Sequence, residues 1–104
     1  MPVNQPRDHI IAYDIGNPRR LGRIHRYLKK CAMPIQYSVF LIRCTPGELT
    51  ELVRELERMI DPTADDVRFY TLPRKASIMT LGRQGTKPGI ELVGGDWSEY
   101  LRRL

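Results

Sequence analysis

Between residues 9 and 72 the apolar spacing of the chain switches four times between the strand period of two and the helical period of 3.6, and turn or cap signals mark the switches. His9–Ile15 (HIIAYDI) is a short apolar run that predicts a buried strand, closed by the polar turn Gly16-Asn17. Asn17 then caps a helix with Pro18 at its first position, where a missing N–H costs nothing. In that helix Leu21, Ile24, Tyr27, Leu28 and Cys31 share one face, and Arg19, Arg23, Arg26 and Lys30 share the other. Pro34 is expected to stop it. Ile35–Cys44 predicts one long strand, or two short ones broken near Gln36–Ser38. Thr45-Pro46-Gly47-Glu48 is a capping box, and Leu49, Leu52, Val53, Leu56, Met59 and Ile60 form the stripe of a second helix ended by Asp61-Pro62. Asp66–Leu72 alternates as a strand with both faces partly covered. Residues 73–89 are expected to be a mobile loop, Ile90–Val93 a last strand, and Asp96 the cap of a short C-terminal helix with Trp97, Tyr100, Leu101 and Leu104 on one face.

The order β-α-β(β)-α-β-β with short connections predicts an α+β fold of the ferredoxin-like, split-βαβ kind, an antiparallel sheet with two helices on one face. Residues 1–93 form that domain and 94–104 a short tail. The open sheet face and the spare C-terminal strand both invite a partner, since an unplaced strand can add to a neighbour's edge. A homodimer that exchanges this strand is the expectation. At 104 residues the chain is one domain in size. No apolar run approaches the roughly 20 residues that span a bilayer, so no membrane partner is expected. The N-terminal MPVNQPRDH has no signal-peptide h-region, and the protein reads as cytoplasmic. Cys31 and Cys44 lack metal-ligand spacing and read as buried or half-buried thiols; His9 and His25 are lone.

Charge narrows the function. The net charge is +5, and from Ile15 to Gly47 there is no acidic residue, while Arg19, Arg20, Arg23, Arg26, Lys29, Lys30 and Arg43 all lie there. A segment of one sign points to an anionic partner. The one carboxylate out of place is Asp14, at the end of a central strand, where it must be solvated, hydrogen-bonded or metal-bound. Arginines crowding the helix N-terminus oppose its dipole, and a phosphate there would compensate. Spacing leaves two readings of Asp14 open: a carboxylate that caps the turn or pairs with an arginine, or a metal ligand for phosphodiester cleavage. The second needs a two-fold axis to bring another Asp14, because one aspartate is a sparse site. Ser38 has no triad partners, and of Tyr37 and Phe40, both able to stack on bases, at least one belongs to the core.

The strand ending Tyr13-Asp14-Ile15, the arginine-rich helix ending Tyr27-Leu28-Lys29-Lys30, the run Ile35-Gln36-Tyr37-Ser38-Val39-Phe40, and Ile60-Asp61-Pro62 followed by Asp66–Leu72 together resemble the small adaptation protein of CRISPR systems, the Cas-two family. The resemblance covers roughly residues 8–93. It implies a ferredoxin-like homodimer with the C-terminal strand joined to the partner's sheet. Asp14 would then be the catalytic residue and ligand of Mg²⁺ or Mn²⁺, facing its twin. Arg23 falls at a family arginine, and Tyr13, Ser38 and Phe40 fall in the flanking motifs. The implied activity is metal-dependent endonuclease action on double-stranded DNA or single-stranded RNA. The implied role is a spacer-acquisition subunit that binds double-stranded DNA with the CRISPR integrase through Arg19, Arg20, Arg23, Arg26 and Lys30. A stand-alone, toxin-type ribonuclease of the same fold is the alternative. Two positions depart from the pattern: Pro34 stands where an arginine is usual, and Leu41 where a glutamate is usual.

Overall fold

The computed structural model describes residues 5–79, residue 81 and the backbone of 91–93. Six elements follow one another as β1 (Arg7–Asp14), α1 (Pro18–Lys29), β2 (Met33–Gln36), β3 (Val39–Cys44), α2 (Pro46–Met59) and β4 (Asp66–Thr71). Their strands make one antiparallel sheet in the order β2-β3-β1-β4. The unit β1-α1-β2 therefore straddles β3, and β3-α2-β4 straddles β1, which is the ferredoxin-like fold. Both caps form as their residues require. Asn17 Oδ1 accepts from the Arg20 N–H at 3.0 Å, and Thr45 and Glu48 exchange bonds in a capping box. No helix among the described residues is long and apolar enough to cross a membrane.

Strand alternation decides what the helices cover. Ile11 and Tyr13 of β1 and Phe40, Ile42 and Cys44 of β3 face Ile24 and Leu28 of α1 and Leu52 and Leu56 of α2. Burying side chains of this size contributes roughly 1.5–3 kcal/mol each. The opposite face is not uniformly open. Met33 and Leu41, paired across β2 and β3, are both 1% exposed there, with Ile10 as Leu41's neighbour on β1. A glutamate in place of Leu41 would put a charge among apolar groups, so the departure suits its surroundings. Beside them Asp8 and Arg43 pair through two bonds of 2.7 and 3.2 Å.

Some of these expectations need correction, and one choice between two readings is decided. Pro34 does not end α1, which stops at Lys29. Pro34 instead lies within β2, an edge strand whose register shifts between Pro34 and Gln36. A proline biases the residue before it toward extended backbone, which draws Met33 into the strand, and an edge tolerates the missing donor. The run 35–44 is two strands joined by Tyr37-Ser38, as the second reading had it, with Ser38 in the left-handed region at φ 66°. In β4 only Val67 and Phe69 are half-buried, while Arg68 and Tyr70 are exposed, so one face is covered rather than both. Finally, Ser77–Met79 is a strand, β5, paired antiparallel with β6 (Glu91–Val93) in a two-stranded sheet of its own. Of the cysteines, Cys44 is buried and its thiol is pushed up to about 11, whereas Cys31 is exposed. The tail 94–104 lies outside the described residues.

One carboxylate joins the two halves. Asp65, in the α2–β4 loop, accepts from the Gly16 N–H at 2.8 Å, the Asp61 N–H at 2.8 Å and the Arg20 Nη2 at 2.9 Å, and pairs with Arg20 Nε as well. Gly16 permits this approach, since a Cβ there would come within 3.3 Å of the Ala64 carbonyl. Arg20 above all, with the two backbone donors, holds the Asp65 carboxyl far below the usual carboxylate range. Across the sheet, His9 sits buried with Nδ1 3.0 Å from Thr71 Oγ1, and desolvation lowers its pKa.

Both shifts are downward, so in each case the unfolded chain takes up the proton first and folding weakens as pH falls. The contribution of His9 is full above pH 6.5 and is lost below it; that of Asp65 is full above pH 3.8 and is lost below it. Urea unfolding followed from neutral pH downward should therefore show two declines. His9→Gln should remove the first and Asp65→Asn the second. A profile for Asp65→Asn that parallels wild type at low pH would show that the carboxylate does not pin the fold.

Candidate nucleic-acid interface

Three segments converge where β1 ends: the loop into α1, the first turns of α1, and the Tyr37-Ser38 turn, which is tied to β1 by a Tyr13 N–H to Ser38 carbonyl bond of 3.1 Å. Asp14 is exposed at this end of the central strand, and its carboxylate makes no hydrogen bond or ion pair among the described residues. The reading in which it caps the turn or pairs with an arginine is thus not what the fold uses. Directly opposite it, in the β1–β4 register, stands Asp66, which is held by Arg68 Nε at 2.8 Å. Asp66 was not legible as part of the site, because its place opposite Asp14 depends on a pairing between strands some fifty residues apart.

The basic row divides. Arg20 is drawn under the loop by Asp65, and that ion pair accounts for the charge at the helix tip. The Arg20 N–H is likewise taken by Asn17, so the fold itself uses this donor at the tip of α1. Along the side of the helix Arg19, Arg23 and Arg26 are exposed, have no acidic partner among the described residues, and line one open cavity of about 540 Å³ with Pro18 and Gly22. Lys30, also exposed, caps the helix one turn beyond.

The motif residues support this end from behind. Phe40 is fully buried and stacks on Tyr13 at 6.1 Å, with His25 edge-on to Phe40 at 5.3 Å. The Tyr13 hydroxyl and His25 Nδ1 are 3.2 Å apart. Of the two aromatic candidates, Phe40 is the core residue and Tyr37, 78% exposed, is the free one. Tyr13, Pro18, Leu21, Gly22, His25, Tyr37 and Ser38 line a second cavity of about 360 Å³, which shares Pro18 and Gly22 with the first. His25 reads as lone in the sequence, and only the strand packing shows its link to Tyr13. Gly22 lies in the middle of α1, where glycine costs roughly 0.5–1 kcal/mol against alanine. Only the end of the Arg26 side chain, 3.3 Å away, would meet a Cβ there.

Among the described residues no three histidine, cysteine, aspartate or glutamate side chains are grouped to hold a metal. The donor on offer is the single unpaired carboxylate of Asp14. It fits a hard divalent cation, which takes one or two carboxylates and fills its shell with water and substrate phosphate.

The profile of the family described as CRISPR associated protein Cas2 matches residues 8–79, which include Asp14, the arginine row and the Tyr37-Ser38 turn. The chain belongs to the Cas2 family. It is 45% identical over 87 residues to CRISPR-associated endoribonuclease Cas2 1 of Nitrosomonas europaea, a match that covers 84% of this chain and 83% of the relative. A Cas2 crystal structure from Streptococcus pyogenes superposes with a TM-score of 0.59 at 28% identity, covering 64% of this chain and 86% of that one. A further solved Cas2 structure gives 0.69 at 28% identity, covering 83% and 98%. These Cas2 likenesses agree with the ferredoxin-like topology derived above.

Like charges facing each other across a strand pair destabilise a sheet. Asp14→Asn removes one of the two opposed carboxylates and should raise stability by roughly 0.2–1 kcal/mol, read as a higher urea midpoint. A midpoint lowered by this change would mean that Asp14 is a structural residue after all.

Proposed function

We propose that this Cas2 protein grips the phosphate backbone of nucleic acid along α1 and cleaves phosphodiester bonds with Asp14 as metal ligand. In the cell we assign it to spacer acquisition, as a homodimer that carries double-stranded DNA to the CRISPR integrase. The observation that carries the reading is one unpaired carboxylate at the end of β1, followed after three residues by a helix along whose side three arginines have no acidic partner among the described residues. Charge of one sign left unpaired on a surface is costly without a counter-charge, and a polyanion supplies it.

From Arg19 to Lys30 the row runs about 16 Å at 1.5 Å per residue, a span of roughly five phosphates on one strand. Contacts of this kind fix register and orientation without reading sequence. Arginine suits the role because its planar fork meets two phosphate oxygens at once. Arg20, through Asp65, holds the tip of α1 in place and so sets where the row lies relative to Asp14. Tyr13 and Phe40 stiffen the strand end that carries Asp14. A Mg²⁺ or Mn²⁺ ion held by Asp14, with the twin carboxylate of a second copy, would supply Lewis-acid stabilisation of the phosphate and an activated water. The substrate class has a second supported form: the curated relative from Nitrosomonas europaea carries the name endoribonuclease, which favours RNA as a strand that is cut.

Binding should weaken with salt, at a log–log slope of about −3 to −4 per protomer on B-DNA for three to four contacts. Arg23→Ala or Arg26→Ala should each bring the slope about one unit closer to zero, equally on unrelated sequences. In the cleavage assay, labelled double-stranded DNA and single-stranded RNA are incubated with Mg²⁺ or Mn²⁺ against EDTA. Cutting should require the metal and disappear in Asp14→Ala, with salt-sensitive binding retained. Cutting at the wild-type rate by Asp14→Ala would refute the catalytic assignment. Binding indifferent to salt would refute the backbone grip.

A further inference from the structure

The cavity on the far side of Gly22 is unlike a phosphate site. Its volume of about 360 Å³ falls in the range of small-molecule pockets, about 300–1,000 Å³. Leu21 and Pro18 give it apolar walls, and Tyr37 stands at its edge on a tight turn, 78% exposed, with no ring stacked on it and no hydrogen bond to its hydroxyl among the described residues. Its polar groups are the Tyr13 hydroxyl, the His25 ring and the Ser38 hydroxyl, a small set that both donates and accepts. The arginine-lined cavity begins at the same Pro18 and Gly22. An aromatic recess with a few hydrogen-bonding groups thus adjoins a row of cations.

We propose that this cavity receives one unpaired nucleobase of a strand whose phosphates lie along Arg19, Arg23 and Arg26. The inference rests on the backbone-binding reading above and adds to it a base subsite. Base faces stack on exposed aromatic rings and base edges pair with hydroxyl and imidazole groups, whatever the sequence. A blunt duplex keeps its bases stacked on one another and leaves the recess unused. A single-stranded extension fills it, in DNA or RNA, because the recognised group is the base. The helix-interior glycine follows from the same placement. A side chain at position 22 would lie over the turn before it, at Pro18, and would obstruct both cavities.

Fluorescence anisotropy with the full chain tests this, using labelled duplexes of equal paired length. One is blunt, one carries a short unpaired deoxy extension, one carries the ribo form, and one carries the same extension with its bases removed. The base-bearing extensions should bind about five- to a hundredfold tighter than the blunt duplex, and the abasic one should fall back to the blunt value. An advantage confined to the ribo or the deoxy form still supports the subsite and names its strand. Tyr37→Ala should lose the advantage while leaving blunt-duplex binding intact, and Tyr37→Phe should keep it. Gly22→Leu should lower the ratio of extended to blunt binding while raising the thermal midpoint. Equal binding of base-bearing and abasic extensions would overturn the inference alone. Failure of the blunt duplex to bind at all would overturn the backbone reading and the base subsite with it.

Discussion

The carboxylate of Asp65 is the point on which the working end of the molecule depends. It joins the loop after β1, the first turn of α1 and the end of α2 through direct hydrogen bonds to each. A buried anion tolerates burial only when its oxygens are filled, and here two backbone N–H groups and an arginine fork fill them. Removing any one donor leaves the rest to carry a charge in a poor dielectric. The arrangement also takes Arg20 out of the basic row. Cations clustered at a helix N-terminus oppose its dipole, and the fold neutralises the innermost of them internally while leaving Arg19, Arg23 and Arg26 to the outside.

From that pin the rest of the geometry follows. The β1–α1 connection is only Ile15–Asn17, so fixing Gly16 sets the distance between Asp14 and the first arginine. The Tyr13–Phe40 stack and the Tyr13 hydroxyl–His25 contact stiffen the strand and helix from the core side. Asp14 is then held in the open, opposite another carboxylate, in a place that does nothing for stability. Local cost of that kind is expected where a fold has been shaped for a ligand rather than for itself.

Much of this was legible because it is written locally. Asn17-Pro18 and the Thr45–Glu48 box start their helices where the side chains dictate, and the apolar stripes point both helices at the sheet. The placement of Asp14 at the end of a central strand also came from local pattern, since an apolar run met a glycine turn. What escaped depends on partners far along the chain. The capture of Arg20 by Asp65 spans 45 residues, and the register that sets Asp66 against Asp14 spans 52. Pro34 reads as a helix stop because its effect on the preceding residue is local, while its tolerance at a sheet edge is topological. The β5 strand was missed for a similar cause: three residues are too few to show a period, and only the pairing with β6 defines them.

The strand order has a temporal consequence. Because β4 lies beside β1 at the edge of the sheet, the segment that carries Asp65 and completes the neighbourhood of Asp14 is the last of the four-stranded sheet to be synthesised. Chains grow from the N-terminus, and contacts between distant segments wait for the later one. A nascent chain that has released β1, α1 and β3 already shows its row of arginines, yet the loop that positions them has no anchor. The basic helix therefore exists as a charged surface before it exists as a site, and the two become the same thing only when the second half of the fold has docked.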